Sequence, residues 1–255
     1  MLEKQNLALP IAIVIAGALI GGSLFFVGRT NAPATDTTPA VAQKDIPGVT
    51  SADHSMGSID APIVIVEYTD LECPFCKQFD GTMKQVVANY GGKVAWVTRN
   101  FPLQQLHPNA PKLALGAECV ASLGGNDAYW KFLDSIFLQA PINTFFDMTK
   151  LTSTAEGVGV NGKEFNTCVA SGTFQEKITN EFNDAVGAGG QGTPFSVIVL
   201  KDGMSNSTKK ALGDLQATLQ PGTLLVSKGG KQIGMGGSQP MEIIRSVLDV
   251  LLAGK

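Results

Sequence analysis

Histidine and cysteine are scarce in this 255-residue chain, which has two histidines, His54 and His107, and four cysteines, Cys73, Cys76, Cys119 and Cys168. A structural zinc site needs four ligands, usually from a second C-x-x-C or a pair of histidines. Here Cys119, Cys168 and both histidines each stand alone in the sequence. Haem attachment needs a histidine directly after the second cysteine of a C-x-x-C, and Lys77 occupies that place. No metal or cofactor is therefore expected. An excess of basic charge is also missing: 19 Lys and Arg against 22 Asp and Glu leave a net charge of −3, with no footprint for nucleic acid. No internal repeat is visible.

What is present is Cys73-Pro74-Phe75-Cys76, directly after an apolar run, Pro62 to Tyr68, that reads as a buried strand. The residues from Pro74 to Tyr90 read as a helix, with Pro74 at its first position, where a missing N–H costs nothing. Cys73 then sits at the helix N-terminus, where unpaired N–H groups and the helix dipole favour a thiolate over a thiol. A static structural disulfide is the bland alternative, but a two-residue loop hardly constrains an unfolded chain. The local physics points to a redox-active dithiol.

The 21 residues from Leu7 to Val27 carry no charge, enough to cross a bilayer as a helix. A cleavable signal has a shorter apolar core, and the small-x-small triplet Ala40-Val41-Ala42 lies too far beyond this run. Residues 1–29 are thus expected to be an uncleaved signal-anchor, a single transmembrane helix. Lys4 on one side and Arg29 on the other barely decide its orientation. The cysteines fit an oxidising compartment, so the remainder is expected on the periplasmic or external face of a bacterial cytoplasmic membrane. Residues 30–50, rich in Pro, Ala, Thr and Asp, read as a flexible linker, and the folded domain is expected over 51–255.

Within that domain the pattern predicts strand 62–69, helix 74–90, strand 93–100, a helical middle over about 108–186, strand 195–200, a late strand pair and a final amphipathic helix from Met241 to Leu252. This order describes an α/β fold built on a central sheet.

The segment Glu67-Tyr-Thr-Asp-Leu-Glu-Cys-Pro-Phe-Cys-Lys-Gln-Phe79 resembles the active-site region of DsbA-like thiol–disulfide oxidoreductases of the thioredoxin superfamily. Gly192-Thr193-Pro194-Phe195 resembles that superfamily's cis-proline loop, and Asn100-Phe-Pro-Leu103 and Gly237-Ser-Gln-Pro240 look like segments of its membrane-anchored bacterial members. The resemblance spans nearly all of residues 55–255. It implies a thioredoxin-like fold whose helical insertion separates the βαβ half from the cis-proline half. It implies that Cys73 is the nucleophile and Cys76 the resolving thiol. Pro74 and Phe75 would tune the redox poise, and Thr193 and Pro194 would lie against the dithiol, leaving the Thr193 backbone free to pair with an extended substrate. Glu67, six residues before Cys73, falls where DsbA-like proteins place a buried acid. Its apolar strand neighbours imply a carboxyl raised in pKa by desolvation, with a solvent-facing strand-end glutamate as the alternative. Asp70 and Glu72 bring opposing negative charge to the thiolate, and Lys77 acts the other way.

Since relatives often carry a disulfide in this region, Cys119 and Cys168 are expected to form a structural one; two unrelated core thiols are the alternative. His107 reads as a helix-start or surface residue, with a place near the dithiol as the alternative, and Trp96 and Trp130 read as core. Residues 201–222 depart from the family pattern as a loop-plus-helix insertion on the rim. The functional expectation is a disulfide oxidase acting on exported proteins with cysteines. A membrane quinone-linked thiol oxidase, DsbB-like or vitamin-K-epoxide-reductase-like, would reoxidise it. A reductase or isomerase of the same fold, or a non-redox peptide-binding chaperone, stays open beside it.

Overall fold

A computed structural model describes residues 44–140, 144–227 and 229–254. The anchor expected over residues 1–29 lies outside them. Among the described residues no helix is long and apolar enough to cross a membrane.

Six strands form one mixed sheet in the order β1-β3-β2-β4-β6-β5: β1 (His54–Met56), β2 (Ile63–Thr69), β3 (Val94–Asn100), β4 (Phe195–Leu200), β5 (Leu224–Val226) and β6 (Gln232–Gly236). β2 and β3 are parallel and joined by helix α1 (Pro74–Asn89), while the other pairs are antiparallel. All seven side chains of β2 are buried, as expected for a central strand covered on both faces. Ile63 and Ile65 pack with Cys76, Phe79 and Trp96 on one face; Val64, Val66 and Tyr68 pack with Val97 and Ala185 on the other. By this alternation Glu67 belongs to the face that α1 covers.

The helical middle comprises α2 (Ala110–Gln139), a 3-10 turn (Met148–Lys150), α3 (Leu151–Gly157), α4 (Gly162–Ser171) and α5 (Gln175–Gly187). α2 is broken at Gly125, whose φ of 79° favours glycine. Helix α6 (Asn206–Gln216) occupies the predicted rim insertion. It packs against the final helix α7 (Met241–Ala253), and its Leu212 joins the core, so the insertion is anchored to the domain.

One expectation needs correction. The flexible linker does not extend to residue 50. Ile46 is buried in the second core cluster, and its backbone N–H and C=O pair with the Gln232 side chain at 2.8 and 3.0 Å. Arg99 donates to Pro47 O and Gly48 O, and Lys44 N–H donates to Gly187 O. One buried isoleucine and a distant arginine thus pin a segment whose composition looks like spacer. β1 was not among the expected elements: it has three residues and pairs antiparallel with β3.

Candidate active site

Cys73 is the N-cap residue of α1, in an extended conformation (φ −74°, ψ 121°), with Pro74 in the first turn. Its N–H donates to Asp70 O at 3.0 Å, closing the turn between β2 and the helix. Cys76, one turn inside, is fully buried on the helix face toward the sheet. The two thiols are free. The Thr193–Pro194 bond is cis, and the Cys73 thiol donates to Thr193 O at 3.4 Å. Gly237, opening the Gly-Ser-Gln-Pro turn, donates its N–H to Pro194 O at 2.9 Å. Residues far apart in sequence, Cys73, Thr193 and Gly237, thereby meet at one end of the sheet.

The two thiols differ in acidity. Hydrogen bonding from Cys76 lowers Cys73 from 9.0 to about 6, helped by the backbone N–H groups of Cys76 and Phe75 and opposed by burial. Burial holds Cys76 well above 9.0, and the charges of Cys73 and Glu67 push the same way. Glu67, 1% exposed, accepts from Trp96 Nε1 at 3.0 Å. Desolvation raises its carboxyl from 4.5 to about 8, against hydrogen bonds from Thr69 and Trp96. The inward-facing reading of Glu67 is the one the fold adopts. Trp96, expected only as core, is also the polar partner of this acid.

Asp70 and Glu72, expected to crowd the thiolate with charge, are both buried and committed to hydrogen bonds. Asp70 accepts from the N–H groups of Glu72 (2.8 Å) and Leu103 (2.7 Å) and contacts His107 Nδ1 at 2.9 Å. Glu72 accepts from Asn109 N, Asn109 Nδ2 and Phe146 N. Lys77 Nζ donates to Ala140 O at 2.7 Å. His107, for which a place near the dithiol was the alternative to a helix-start residue, lines the same cavity of about 300 Å³ as Cys73. No local signal links His107 to Asp70, 37 residues earlier in the chain. Leu106 and Phe145 line the cavity with exposed apolar surface, and Phe75 of the dithiol motif is 60% exposed.

Cys119 and Cys168 are joined by a disulfide that links α2 to α4. Closing a loop of 49 residues stabilises the fold by roughly 4 kcal/mol in the chain-entropy model. No cluster of three or more metal-ligating side chains occurs among the described residues.

A family model described as Thioredoxin matches residues 49–219. The Na(+)/H(+) antiporter NhaA 1 of Mycolicibacterium vanbaalenii is 32% identical over 133 residues, 52% of this chain and 21% of that protein. The Na(+)/H(+) antiporter NhaA of Herminiimonas arsenicoxydans is 28% identical over 142 residues, 56% of this chain and 21% of that protein. The chain thus spans about a fifth of the length of these curated relatives. Among solved structures, Pseudomonas aeruginosa DsbA2 superposes with a TM-score of 0.58 at 24% identity, over 82% of this chain and 97% of that one. Wolbachia pipientis alpha-DsbA1 superposes with a TM-score of 0.60 at 22% identity, over 80% and 93%. With two thirds of its length matching the Thioredoxin model, the chain belongs to the thioredoxin family, and it shares its fold with DsbA proteins.

Proposed function

We propose that this DsbA-like oxidoreductase works as an oxidase, passing a Cys73–Cys76 disulfide to cysteine pairs of exported proteins. The observation that carries this direction is the placement of the two thiols: Cys73 caps the N-terminus of α1, where the helix favours its thiolate, while Cys76 is fully buried, so the first is lowered and the second raised in pKa. A thiolate stabilised in the reduced protein makes the disulfide form the stronger oxidant. The same thiolate is a good leaving group when substrate departs.

In the proposed cycle a substrate thiolate attacks Cys73 Sγ, and a substrate–Cys73 disulfide forms as the Cys73–Cys76 bond breaks. The electron pair leaves on Cys76, whose raised pKa makes it take up a proton. Glu67, with its carboxyl at about 8, holds a proton at neutral pH and is the buried group suited to give it. A second substrate thiolate then attacks the substrate sulfur, and Cys73 leaves as thiolate. The substrate has lost two electrons and the protein holds a dithiol. Thr193 and Pro194 border the sulfur that changes partners, and the exposed Phe75, Leu106 and Phe145 offer apolar surface to an unfolded chain.

The location and partners belong to the same proposal. The charge-free stretch from Leu7 to Val27 supports an anchor, and the Cys119–Cys168 disulfide fits an oxidising compartment. A membrane quinone-linked thiol oxidase, DsbB-like or vitamin-K-epoxide-reductase-like, would restore the disulfide. Redox titration against glutathione tests the direction. A potential more positive than about −180 mV supports an oxidase, and one near −270 mV, the thioredoxin range, refutes it in favour of a reductase.

A further inference from the structure

Asp70 and His107 form a polar pair at the dithiol groove that the cycle above does not use. The Asp70 side chain is fully buried, whereas the His107 side chain is 14% exposed. His107 Nδ1 lies 2.9 Å from Asp70 Oδ2, which also accepts the Leu103 N–H, while Oδ1 accepts the Glu72 N–H. A carboxylate only accepts, so Nδ1 carries the hydrogen; in the neutral ring Nε2 then presents its lone pair. Among the described residues the ring's hydrogen bond is the one Nδ1 makes to Asp70.

The imidazole is on the wall of the cavity that also holds Cys73. The cavity's volume of about 300 Å³ is about ten waters' worth, room for one cysteine side chain of a substrate. The other titratable groups facing His107 are engaged elsewhere. Glu72 accepts from Asn109 and Phe146, Lys77 donates to Ala140 O, and the Cys73 thiol donates to Thr193 O. The remaining walls from α2 and the segment after it, Phe137, Ala140 and Phe145, carry no charge.

We propose that His107 is a catalytic base that removes the proton from the incoming substrate thiol, with Asp70 as its positioning residue. This rests on the thiol exchange proposed above. The substrate S–H bond breaks and its proton passes to Nε2. The sulfur electron pair forms the new bond to Cys73 Sγ, and the Cys73–Cys76 bond breaks with its pair on Cys76. The protein disulfide is the oxidant, and His107 later returns the proton to water. The gain has a natural ceiling. A cysteine of pKa about 8.5 is about 3% ionised at pH 7, so supplying the thiolate accelerates attack by at most about thirtyfold. The gain vanishes once the substrate ionises by itself.

Stopped-flow oxidation of a two-cysteine peptide by the oxidised full-length protein, wild type against His107→Gln, tests this across pH. The expected result is a variant slower by about ten- to thirtyfold at pH 7 that converges with wild type above about pH 9.5. The pH dependence of Cys73 alkylation in the reduced variant should stay unchanged. Equal slowing at every pH, no slowing at pH 7, or a loss that tracks a shifted Cys73 titration overturns the base role. If neither protein oxidises the peptide at any pH, the oxidase reading falls and this inference with it. Should the variant fail to fold, wild type alone must show a normal solvent deuterium isotope effect at pH 7 that disappears at high pH; its absence overturns the proposal.

Discussion

Replacing Glu67 by glutamine isolates the cost of a buried acid behind the dithiol. The glutamine fills the same space and still offers an oxygen to Trp96 Nε1, which now sits 3.0 Å from Oε2, but it cannot ionise. Burial is the largest cause of the raised carboxyl pKa, and the negative charges of Asp80 and Cys73 add to it. Because the folded pKa is the higher one, the native state keeps a proton that the unfolded chain has released. Native stability from this group is therefore intact below about 4.5, declines as pH rises from 4.5 to about 8, and then levels off. At about 1.4 kcal/mol per pH unit the full decline is at most about 5 kcal/mol. Cys73 works in the opposite sense: lowered from 9.0 to about 6, it adds stability as pH rises through that window. The wild-type curve mixes the two effects, whereas the difference between E67Q and wild type, both reduced, isolates Glu67. Guanidinium unfolding should show a difference under about 1 kcal/mol at pH 5, growing to several kcal/mol in favour of E67Q by pH 8. A difference that stays flat from pH 5 to 8 would refute desolvation of Glu67 as the origin of its shift.

Two more predictions concern the thiols and the chain leading into the domain. In the reduced protein, alkylation followed by peptide mapping should modify Cys73 first, with its rate half-maximal near pH 6, while Cys76 stays protected; faster modification of Cys76 would reverse the assigned roles. A chain starting at Ser51 instead of Lys44 should unfold at lower denaturant. It loses burial of the Ile46 side chain, about 2–3 kcal/mol, and leaves Gln232 and Arg99 short of partners. Equal midpoints for the two chains would show that the docked segment contributes nothing.

Much of the site was legible because it depends on near neighbours in the chain. Pro74 in the first helical turn, the apolar run before it and the two-residue spacing of Cys73 and Cys76 place both thiols by helix geometry alone. Alternation along β2 sends Glu67 to the same face as Ile63 and Ile65, so its desolvation follows from the strand pattern. The cis-proline contact was expected through family resemblance, and the Cys119–Cys168 disulfide through that resemblance together with two leftover cysteines in an oxidising compartment, since no local rule pairs residues so far apart. What the tertiary structure alone decided involves single contacts across long separations. His107 reaches Asp70 because the loop after β3 lies beside the turn after β2, a consequence of their parallel pairing. Residues 44–50 leave the spacer because Gln232 and Arg99, from two different strands, offer them hydrogen bonds. Composition averages over a window and registers the many Pro, Ala and Thr there. It cannot register one isoleucine that joins a core of β2, β3 and β4 side chains and finds its backbone partner, Gln232, only after β6 has joined the sheet.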